Sequence, residues 1–415
     1  MKPSIQPLNV LAFNNNINPP KSLTIYNIFT LDDNWSTYRA FCNPRPVEIK
    51  EVNKMFSCGQ EFRIYHCPNC NQDSVVHFGC NSRLCTHCGK RYTDTWANSI
   101  VTKVLEVNHR MFTMSVPDIL WPLFEQNRHL LKYYMNIAIE VITEVMTLRL
   151  GKQITPGLIV ALHTFGKDLN FKPHLHCIVT EGGLNQYGEW VDNTYFPYES
   201  FRKKWQYKLL IMLKQKGIIS SKMTDMLFKK YPEGFYVNDS DAQYKKDLKK
   251  LSKKLTGKKL LKYVARYFRH PAVAESRLLS YDGKNVIFWY ETNTGERITK
   301  TMNVLNFIKA IVGHIPEPQF KMIRHYGLYA RNKSKKVKQV ISNFRGCVNK
   351  TQTKIIDYIS IHCPKCPNCG ALMELVFSSK EIAGDLPPPV MEKYNNLVPY
   401  IRLSQLSDRV NPITK

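Results

Sequence analysis

The chain of 415 residues is 43% hydrophobic and 22% charged, which excludes a largely disordered protein and allows more than one domain. Its 59 Lys and Arg against 33 Asp and Glu give a net charge of +26, which favours a polyanionic partner such as nucleic acid. Met1–Pro20 lacks the basic start and apolar run of a secretory signal, and no run of 18 apolar residues occurs. We therefore expect no membrane partner and a cytoplasmic location.

The first part of the chain divides into an irregular segment, a cysteine-rich segment and an apolar strand. Residues 1–50 are rich in Pro and Asn, and we expect an extended arm with a short helix at Asn34–Cys42. Residues 58–95 hold the densest group of cysteines. The apolar run Met111–Val116 predicts a buried strand, and residues 119–150 have helical periodicity.

The rest of the chain mixes strands with basic helices. A hairpin is predicted from the strand-like runs Gly157–Phe165 and Leu175–Thr180, which are joined by a loop rich in Gly, Lys, Asp and Asn. Because strands and helices follow without regular β-α-β alternation, the sequence predicts an α+β fold with an antiparallel sheet. The remaining predicted elements are helices at 198–230, 239–267 and 303–312 and short strands at Gly234–Val237, Ala272–Leu279 and Val286–Glu291.

Two CxxC pairs mark a first metal site. Cys67-Pro-Asn-Cys70 and Cys85-Thr-His-Cys88 are separated by 14 residues, and this spacing allows four thiolates to form the tetrahedron of a structural Zn²⁺ ribbon. In a basic chain without a secretory signal, such pairs indicate metal sites rather than disulfides. Spare candidate ligands, with Cys80 as the main alternate for a knuckle cysteine, are Cys58, Cys80, His66, His77 and His87.

A further cysteine group, Cys363-Pro-Lys-Cys366-Pro-Asn-Cys369, lies towards the C-terminus. Cys366 and Cys369 form another CxxC knuckle, which is half of a second zinc site. Either His362 or the distant Cys347 can complete that set.

A His-hydrophobe-His pair opens the second strand of the predicted hairpin. His174 and His176 share one face of a strand, so both imidazoles can bind one metal ion while the residue between them faces the core. His163, on the preceding strand, is a candidate third ligand, and Asp168 and Glu291 are weaker ones. The structural alternative is a pair of histidines that simply pack or bond locally.

Two tyrosines lie four residues apart in a basic helical segment, Tyr263-Val-Ala-Arg-Tyr267. This spacing places both phenols on one helical face. A tyrosine can attack phosphorus, and because its pKa is near 10 it needs activation, which a metal on the scissile phosphate assists. The structural alternative is two tyrosines packed against the core.

Lysines recur about every four residues on the predicted helix that leads to Tyr263. A solvated helix face is the ordinary explanation of such a stripe. Contacts with DNA phosphates are the functional explanation, because the stripe adjoins the candidate nucleophiles. The candidate DNA-binding residues are Lys249, Lys250, Lys253, Lys254, Lys258, Lys259 and Arg266.

Taken in chain order, these motifs resemble the two-tyrosine HUH transposases of rolling-circle insertion sequences, the IS91 group. The resemblance covers roughly residues 55–375 and is far more specific than any one motif. It is carried by the cysteine segment ending at Cys88, Phe112–Pro117, His163–Gly166, Pro173–His176, Tyr263–Tyr267, Glu275–Leu278, His314–Pro316, Ile323–Leu328 and the final CxxC.

The resemblance implies a fold and a reaction. An antiparallel HUH sheet would carry His174 and His176, which bind Mg²⁺ or Mn²⁺, and would face a helix bearing the nucleophiles Tyr263 and Tyr267. Family members are thought to nick one strand of single-stranded DNA, form a 5′-phosphotyrosine and join the strand to a target. The family's cysteine segment maps onto the zinc module, with Thr86 in place of the usual Pro. A second departure is Lys172, which stands where another His is common.

These inferences give a domain organisation and a function. We expect an N-terminal arm (1–50), a zinc-binding module (51–100), an HUH endonuclease domain (105–330) and a basic C-terminal tail with a CxxC cluster (331–415). The predicted protein is a DNA strand transferase, associated with the nucleoid when it is bound to DNA. The alternatives are a plasmid replication initiator or relaxase with the same chemistry, and a non-catalytic zinc-dependent DNA-binding regulator.

Overall fold

The computed structural model describes residues 23–105, 107–239, 272–292, 294–330 and 364–379. Within these ranges the fold is α+β, with three antiparallel sheets and helices packed against them. The predicted α+β class with an antiparallel sheet is confirmed. Among the described helices, none is long and apolar enough to cross a membrane.

From residue 23 the N-terminal region is mainly helical, where an extended arm with one short helix was expected; the predicted helix at Asn34–Cys42 is confirmed. It contains α1 (Ile25–Thr30), α2 (Asn34–Cys42) and α3 (Pro46–Phe56). Thr24 caps α1 by accepting a hydrogen bond from the backbone N–H of Asn27, and proline begins α3, where its missing N–H costs nothing. The apolar residues of these helices are buried in a common core, which offsets their weak intrinsic helix signal.

A small three-stranded sheet follows α3. It consists of β1 (Phe62–His66), β2 (Asp73–His77) and, from the far end of the chain, β12 (Glu374–Ser378), in the order β12-β1-β2. The chain then enters α4 (Thr86–Lys103). The C-terminal segment therefore lies against the cysteine-rich N-terminal module.

The central sheet has six antiparallel strands, namely β3 (His109–Ser115), β4 (Thr155–Phe165), β5 (Phe171–Leu184), β6 (Trp190–Asp192), β7 (Val237–Asp239) and β11 (Ile323–Gly327). Their order is β11-β4-β5-β3-β7, and β6 pairs with β5. The predicted hairpin forms the long central strands β4 and β5, and the strand predicted from residues 111–116 is β3, which pairs with β5.

Successive side chains of the central strands enter opposite layers. On one face, Leu175 and its neighbours pack against α6 (Leu130–Leu150) and α7 (Tyr198–Gln215) in the largest apolar cluster. On the opposite face, Ile178 packs in a smaller cluster with Ala97 of α4. Two shorter helices, α5 (Trp121–Gln126) and α8 (Ser221–Lys230), adjoin the first layer.

A third sheet has three strands, and a helix follows its last strand directly in the chain. It contains β8 (Leu278–Tyr281), β9 (Asn285–Glu291) and β10 (Arg297–Asn303), followed by α9 (Val304–Val312). The strand expected from residue 272 begins only at Leu278, because a 3-10 turn at Glu275–Arg277 precedes it. This sheet shares its core with the N-terminal helices.

Candidate catalytic and metal centres

Three histidines lie together at the centre of the main sheet. His163 on β4 is paired in register with His174 on β5, and His176 lies opposite Ala161. The ring centroid of His163 lies 5.4 Å from that of His174 and 4.6 Å from that of His176. One potential ligand atom from each histidine lies within 4.8 Å of the other two. The strand register thus brings the candidate third ligand to the His174–His176 pair.

The alternation of β5 determines where these imidazoles point. Leu175 between the two histidines is fully buried in the cluster beneath α6 and α7. Residues two apart on a strand share a face, so His174 and His176 point to the opposite side, the one that α4 partly covers. The histidine cluster therefore lies on central strands that pack against other elements on both faces of the sheet.

The histidine rings are oriented and held neutral by their surroundings. The Nδ1–H of His174 donates to the backbone carbonyl of Lys172 at 2.8 Å, which leaves Nε2 as the lone-pair nitrogen. The Nδ1 of His176 lies 3.4 Å from the hydroxyl of Thr113. Burial lowers the pKa of His174 to about 4 and that of His176 well below its usual 6.5. Neutral imidazole is the form that binds metal ions, so the cluster is ready to do so at neutral pH.

The segment entering β5 is fixed from the other face. The hydroxyl of Tyr134 on α6 donates to the carbonyl of Pro173 at 3.1 Å in a buried position. The ammonium of Lys172 lies 5.4 Å from the ring centroid of Trp121, and its positive charge contributes, after burial, to the lowered pKa of His174. A shift in the β4–β5 register between His163 and Phe165 accompanies this turn of the chain. The side chain at 172 therefore contacts Trp121, while its charge still acts on His174.

The weaker carboxylate candidates do not join the cluster. Asp168 accepts a hydrogen bond from the backbone N–H of Asn170 at 3.3 Å in the β4–β5 loop, and Glu291 is exposed at the end of β9. In the described ranges, the group that contains the three histidines includes no carboxylate. A hard cation such as Mg²⁺ or Mn²⁺ would thus take its remaining ligands from water or substrate oxygens.

The two candidate nucleophiles, Tyr263 and Tyr267, lie outside the described residues. The same holds for the predicted DNA-binding residues, namely Lys249, Lys250, Lys253, Lys254, Lys258, Lys259 and Arg266. Their assignments remain predictions.

The cysteines form two groups of four, and this corrects the grouping of the CxxC pairs. Site 1 consists of Cys58, Cys80, Cys85 and Cys88, with neighbouring sulfur atoms 3.6–3.7 Å apart. Site 2 consists of Cys67, Cys70, Cys366 and Cys369, with sulfurs 3.4–3.5 Å apart. The two CxxC pairs predicted to share one tetrahedron thus belong to different sites.

The physical reason for this division is the path of the chain. The Cys67–Cys70 knuckle follows β1, whose free edge pairs with β12, and β12 comes directly after the C-terminal knuckle. The other pair lies at the start of α4, next to Cys58 at the end of α3. Cys80 belongs to site 1 together with both knuckle cysteines, Cys85 and Cys88, whereas the prediction had it replace a knuckle cysteine.

Both sites have the dimensions of tetrathiolate zinc. A Zn–S bond of about 2.3 Å gives a sulfur–sulfur edge of roughly 3.8 Å in a regular tetrahedron. A disulfide would instead need about 2.05 Å. Burial, the largest cause, and the crowding of neighbouring sulfurs raise the pKa of Cys80 to about 12, so four thiolates at site 1 require a cation.

Site 1 lies at the start of α4. A hydrogen bond between Thr86 and Glu275 beside it was not predicted from the sequence. Cys85 precedes the helix and Cys88 lies in its first turn. The hydroxyl of Thr86 donates to Glu275 at 2.7 Å, and the same carboxylate accepts the backbone N–H of Ile25 at 3.3 Å. Glu275 was part of a motif without an assigned role, and it links the zinc module to the third sheet.

Comparisons with known proteins agree with this architecture. A family model described as "Transposase zinc-binding domain" matches residues 30–116, and one described as "Putative transposase" matches residues 157–336. The chain is 30% identical over 321 residues to the "Transposase for insertion sequence element IS801" of Pseudomonas savastanoi pv. phaseolicola, covering 73% of this chain and 75% of that protein. The chain belongs to the IS91-type insertion-sequence transposases.

A second relative is also described as a transposase. The transposase is 23% identical over 279 residues to "Putative transposase y4qJ" of Sinorhizobium fredii, covering 63% of this chain and 68% of the relative. No solved structure matches the transposase at a comparable level of significance. The family match and the cysteine geometry together support structural zinc, and site 1 lies entirely inside the matched zinc-binding domain.

Proposed function

We propose that this transposase nicks and rejoins single-stranded DNA through 5′-phosphotyrosine intermediates and so mobilises an insertion sequence by a rolling-circle route. The observation that carries the proposal is the cluster of His163, His174 and His176 on the central antiparallel sheet. We place this reaction in the cytoplasm, on DNA of the nucleoid.

The proposed nucleophiles are Tyr263 and Tyr267. The phenolic oxygen of one tyrosine forms a bond to the scissile phosphorus, its proton leaves to solvent, and the bond from phosphorus to the 3′ oxygen breaks. The products are a 5′-phosphotyrosine and a free 3′-OH. A second strand's 3′-OH then reverses the same step and joins the DNA, and the two tyrosines allow two ends to be held in turn.

Mg²⁺ or Mn²⁺ held by the three histidines would polarise the scissile phosphate and offset its developing charge. The protein's own contribution is the arrangement of the site. The carbonyl of Lys172 sets the tautomer of His174, and burial keeps the imidazoles neutral. Because all three ligand atoms lie within 4.8 Å of one another, a single cation can contact them together.

A plasmid replication initiator or relaxase would use the same chemistry. The presence of a zinc-binding transposase domain ahead of the catalytic sheet favours the transposase. A non-catalytic regulator would leave the alignment of three histidines on adjacent strands without a role.

The decisive experiment is a cleavage assay on single-stranded oligonucleotides from the ends of the element. With Mn²⁺ the protein should leave a covalent protein–DNA adduct that survives denaturation. Replacing both nucleophiles, Tyr263→Phe with Tyr267→Phe, should abolish the adduct. A matched control is Tyr207→Phe, whose side chain is exposed on α7 and which should retain full activity.

Two outcomes would contradict the proposal. Retention of the adduct in the double variant would remove the tyrosines from the nucleophile role. Full activity in the presence of a chelator that removes Mn²⁺ and Mg²⁺ would remove the metal from it.

A further inference from the structure

The tetrapeptide Cys-Pro-Asn-Cys occurs twice, at 67–70 and at 366–369. Each copy is followed by a residue with positive φ, Asn71 at 58° and Gly370 at 75°. Only glycine and, less readily, asparagine adopt this conformation at low cost. The two segments therefore have the same local sequence and the same backbone turn.

The backbone hydrogen bonds of the two knuckles also correspond. In the first, Asn71 N–H donates to the carbonyl of Cys67 at 2.9 Å, and Cys67 N–H donates to Gln72 at 2.8 Å. In the second, Gly370 N–H donates to Cys366 at 2.9 Å, and Cys366 N–H donates to Ala371 at 2.8 Å. Two equivalent knuckles thus meet at site 2, although 296 residues separate Cys70 from Cys366.

The sulfur geometry at site 2 fits one tetrahedral ion. Cys67 Sγ lies 3.5 Å from Cys369 Sγ, and Cys70 Sγ lies 3.4 Å from Cys366 Sγ, so each close pair joins the two knuckles. These separations exceed a disulfide bond of about 2.05 Å and approach the edge of a zinc tetrathiolate, roughly 3.8 Å.

The surroundings of site 2 are those of a structural centre. Cys67 and Cys366 are buried with Tyr65 and Met373 in a small apolar cluster. Strands β1 and β12 pair antiparallel beside it, with Ile64 opposite Phe377. The matched family regions, 30–116 and 157–336, contain only the first knuckle, so neither assigns this site.

We propose that Cys67, Cys70, Cys366 and Cys369 bind one Zn²⁺ that fastens residues 364–379 onto the N-terminal zinc module. This ion closes a loop of the chain that contains the histidine cluster and both candidate tyrosines. Its role is structural and independent of the proposed cleavage reaction, because the site offers no open coordination position. Removing the ion releases the C-terminal segment from β1.

The first test is zinc stoichiometry of the full chain by native mass spectrometry. The wild type should hold two tightly bound Zn²⁺, one at each site. Cys366→Ser with Cys369→Ser should lose one ion, and Cys67→Ser with Cys70→Ser should lose the same one. The variant with all four substitutions should still hold one ion, because both knuckles serve a single site.

A matched control is Cys42→Ser, which changes an exposed cysteine outside both sites and should keep two ions. Loss of two ions in the fourfold variant would mean that each knuckle binds its own metal and would overturn the proposal. Two zinc ions in Cys366→Ser with Cys369→Ser would also overturn it. A wild-type protein that holds no zinc at site 2, and whose mass is lower by the four hydrogens lost in two disulfide bonds, would overturn it as well.

The second test measures the fastening itself and does not depend on catalysis. A specific protease site is inserted between residues 330 and 364, and the purified full-length protein is cut there. The C-terminal fragment should co-elute with the rest of the protein in zinc and separate after chelation. With Cys366→Ser and Cys369→Ser it should separate even in zinc. A wild-type fragment that stays bound after chelation would show that zinc does not fasten it.

Discussion

The histidine cluster and the two cysteine sites differ in what positions their ligands. His163, His174 and His176 project from adjacent strands of a six-stranded sheet, and hydrogen bonds along β4 and β5 fix their spacing. The cysteines of sites 1 and 2 lie in knuckles, in loops and at one helix start. One set is assembled by strand register, and the other brings together short segments that are separated along the chain.

This difference predicts opposite responses to metal removal. A site built on a sheet keeps its geometry without the ion, because the backbone ladder and the buried layers beneath it remain. A site built from loops depends on the ion, since metal-binding free energy is then folding free energy. The following predictions test this contrast, from the largest effect to the smallest.

The largest effect is expected from loss of site 1. Cys85→Ser with Cys88→Ser should remove its zinc and destabilise the N-terminal module by roughly 5 kcal/mol or more, because apparent structural-zinc binding energies reach about 10–16 kcal/mol. The start of α4 would then lose its anchor beside the central sheet. Zinc content and thermal unfolding measure this, with Cys42→Ser as the control. An unchanged melting temperature would place the stability of this module in its apolar core.

A second large effect, on activity but not on the fold, is expected at the sheet. His176→Ala should reduce Mn²⁺-dependent cleavage at least about 100-fold, because a bound metal contributes several kcal/mol to transition-state charge stabilisation. Thermal unfolding without metal should change by far less than in the cysteine variant, since the β4–β5 ladder is retained. Cleavage kinetics and melting curves of the same samples measure both. Wild-type cleavage by this variant would exclude the histidine from the metal site.

A smaller effect concerns pH. Burial lowers the pKa of His109 to about 4, and its ring lies 2.5 Å from the hydroxyl of Tyr329. The folded pKa is below the unfolded value of 6.5, so the native state binds fewer protons and stability is lost as pH falls from 6.5 towards 4. The slope for one histidine is roughly 1.4 kcal/mol per pH unit.

His109→Gln should therefore reduce the loss of stability with falling pH, measured by urea unfolding between pH 7 and 4. The control His129→Gln alters an exposed histidine and should leave the profile unchanged. Burial also lowers the pKa of His314 to about 4, so part of the pH dependence should persist in His109→Gln. An unaltered slope in His109→Gln would mean that folding does not lower the pKa of this ring.

Much of the sheet could be predicted from the sequence because its signals are local. Alternating and apolar runs predicted β3, β4 and β5, and strand periodicity placed His174 and His176 on one face. The helix at Asn34–Cys42 was predicted correctly, whereas α1 and α3 were missed because residues 1–50 have a Pro- and Asn-rich composition. The helical pattern of α1 and α3 depends on apolar residues that become buried only against a distant sheet. Local propensity carries no information about that core.

The cysteine sites also depend on contacts between distant parts of the chain, which local spacing could not predict. Spacing predicted that CxxC pairs bind zinc, but it grouped Cys67 and Cys70 with Cys85 and Cys88, the nearest pair in sequence. The partner knuckle is instead brought by pairing of β12 with β1 from the far end of the chain. The identical Cys-Pro-Asn-Cys tetrapeptides were the available signal, since equal knuckles suit the two halves of one tetrahedron.

The smallest effect is expected at Lys172, the position at which the family resemblance led us to expect another histidine. Lys172→His should not add a fourth imidazole ligand, because the side chain at this position contacts Trp121, whereas its backbone carbonyl accepts the hydrogen bond from His174. Metal affinity, measured by Mn²⁺ titration, should stay within about twofold, since the backbone carbonyl that orients His174 is unchanged. Lys172→Ala should behave alike and serves as the matched control. A clear rise in affinity in Lys172→His alone would mean that the β4–β5 turn rearranges when metal binds, and that this site is less preorganised by strand register than the comparison with the cysteine sites implies.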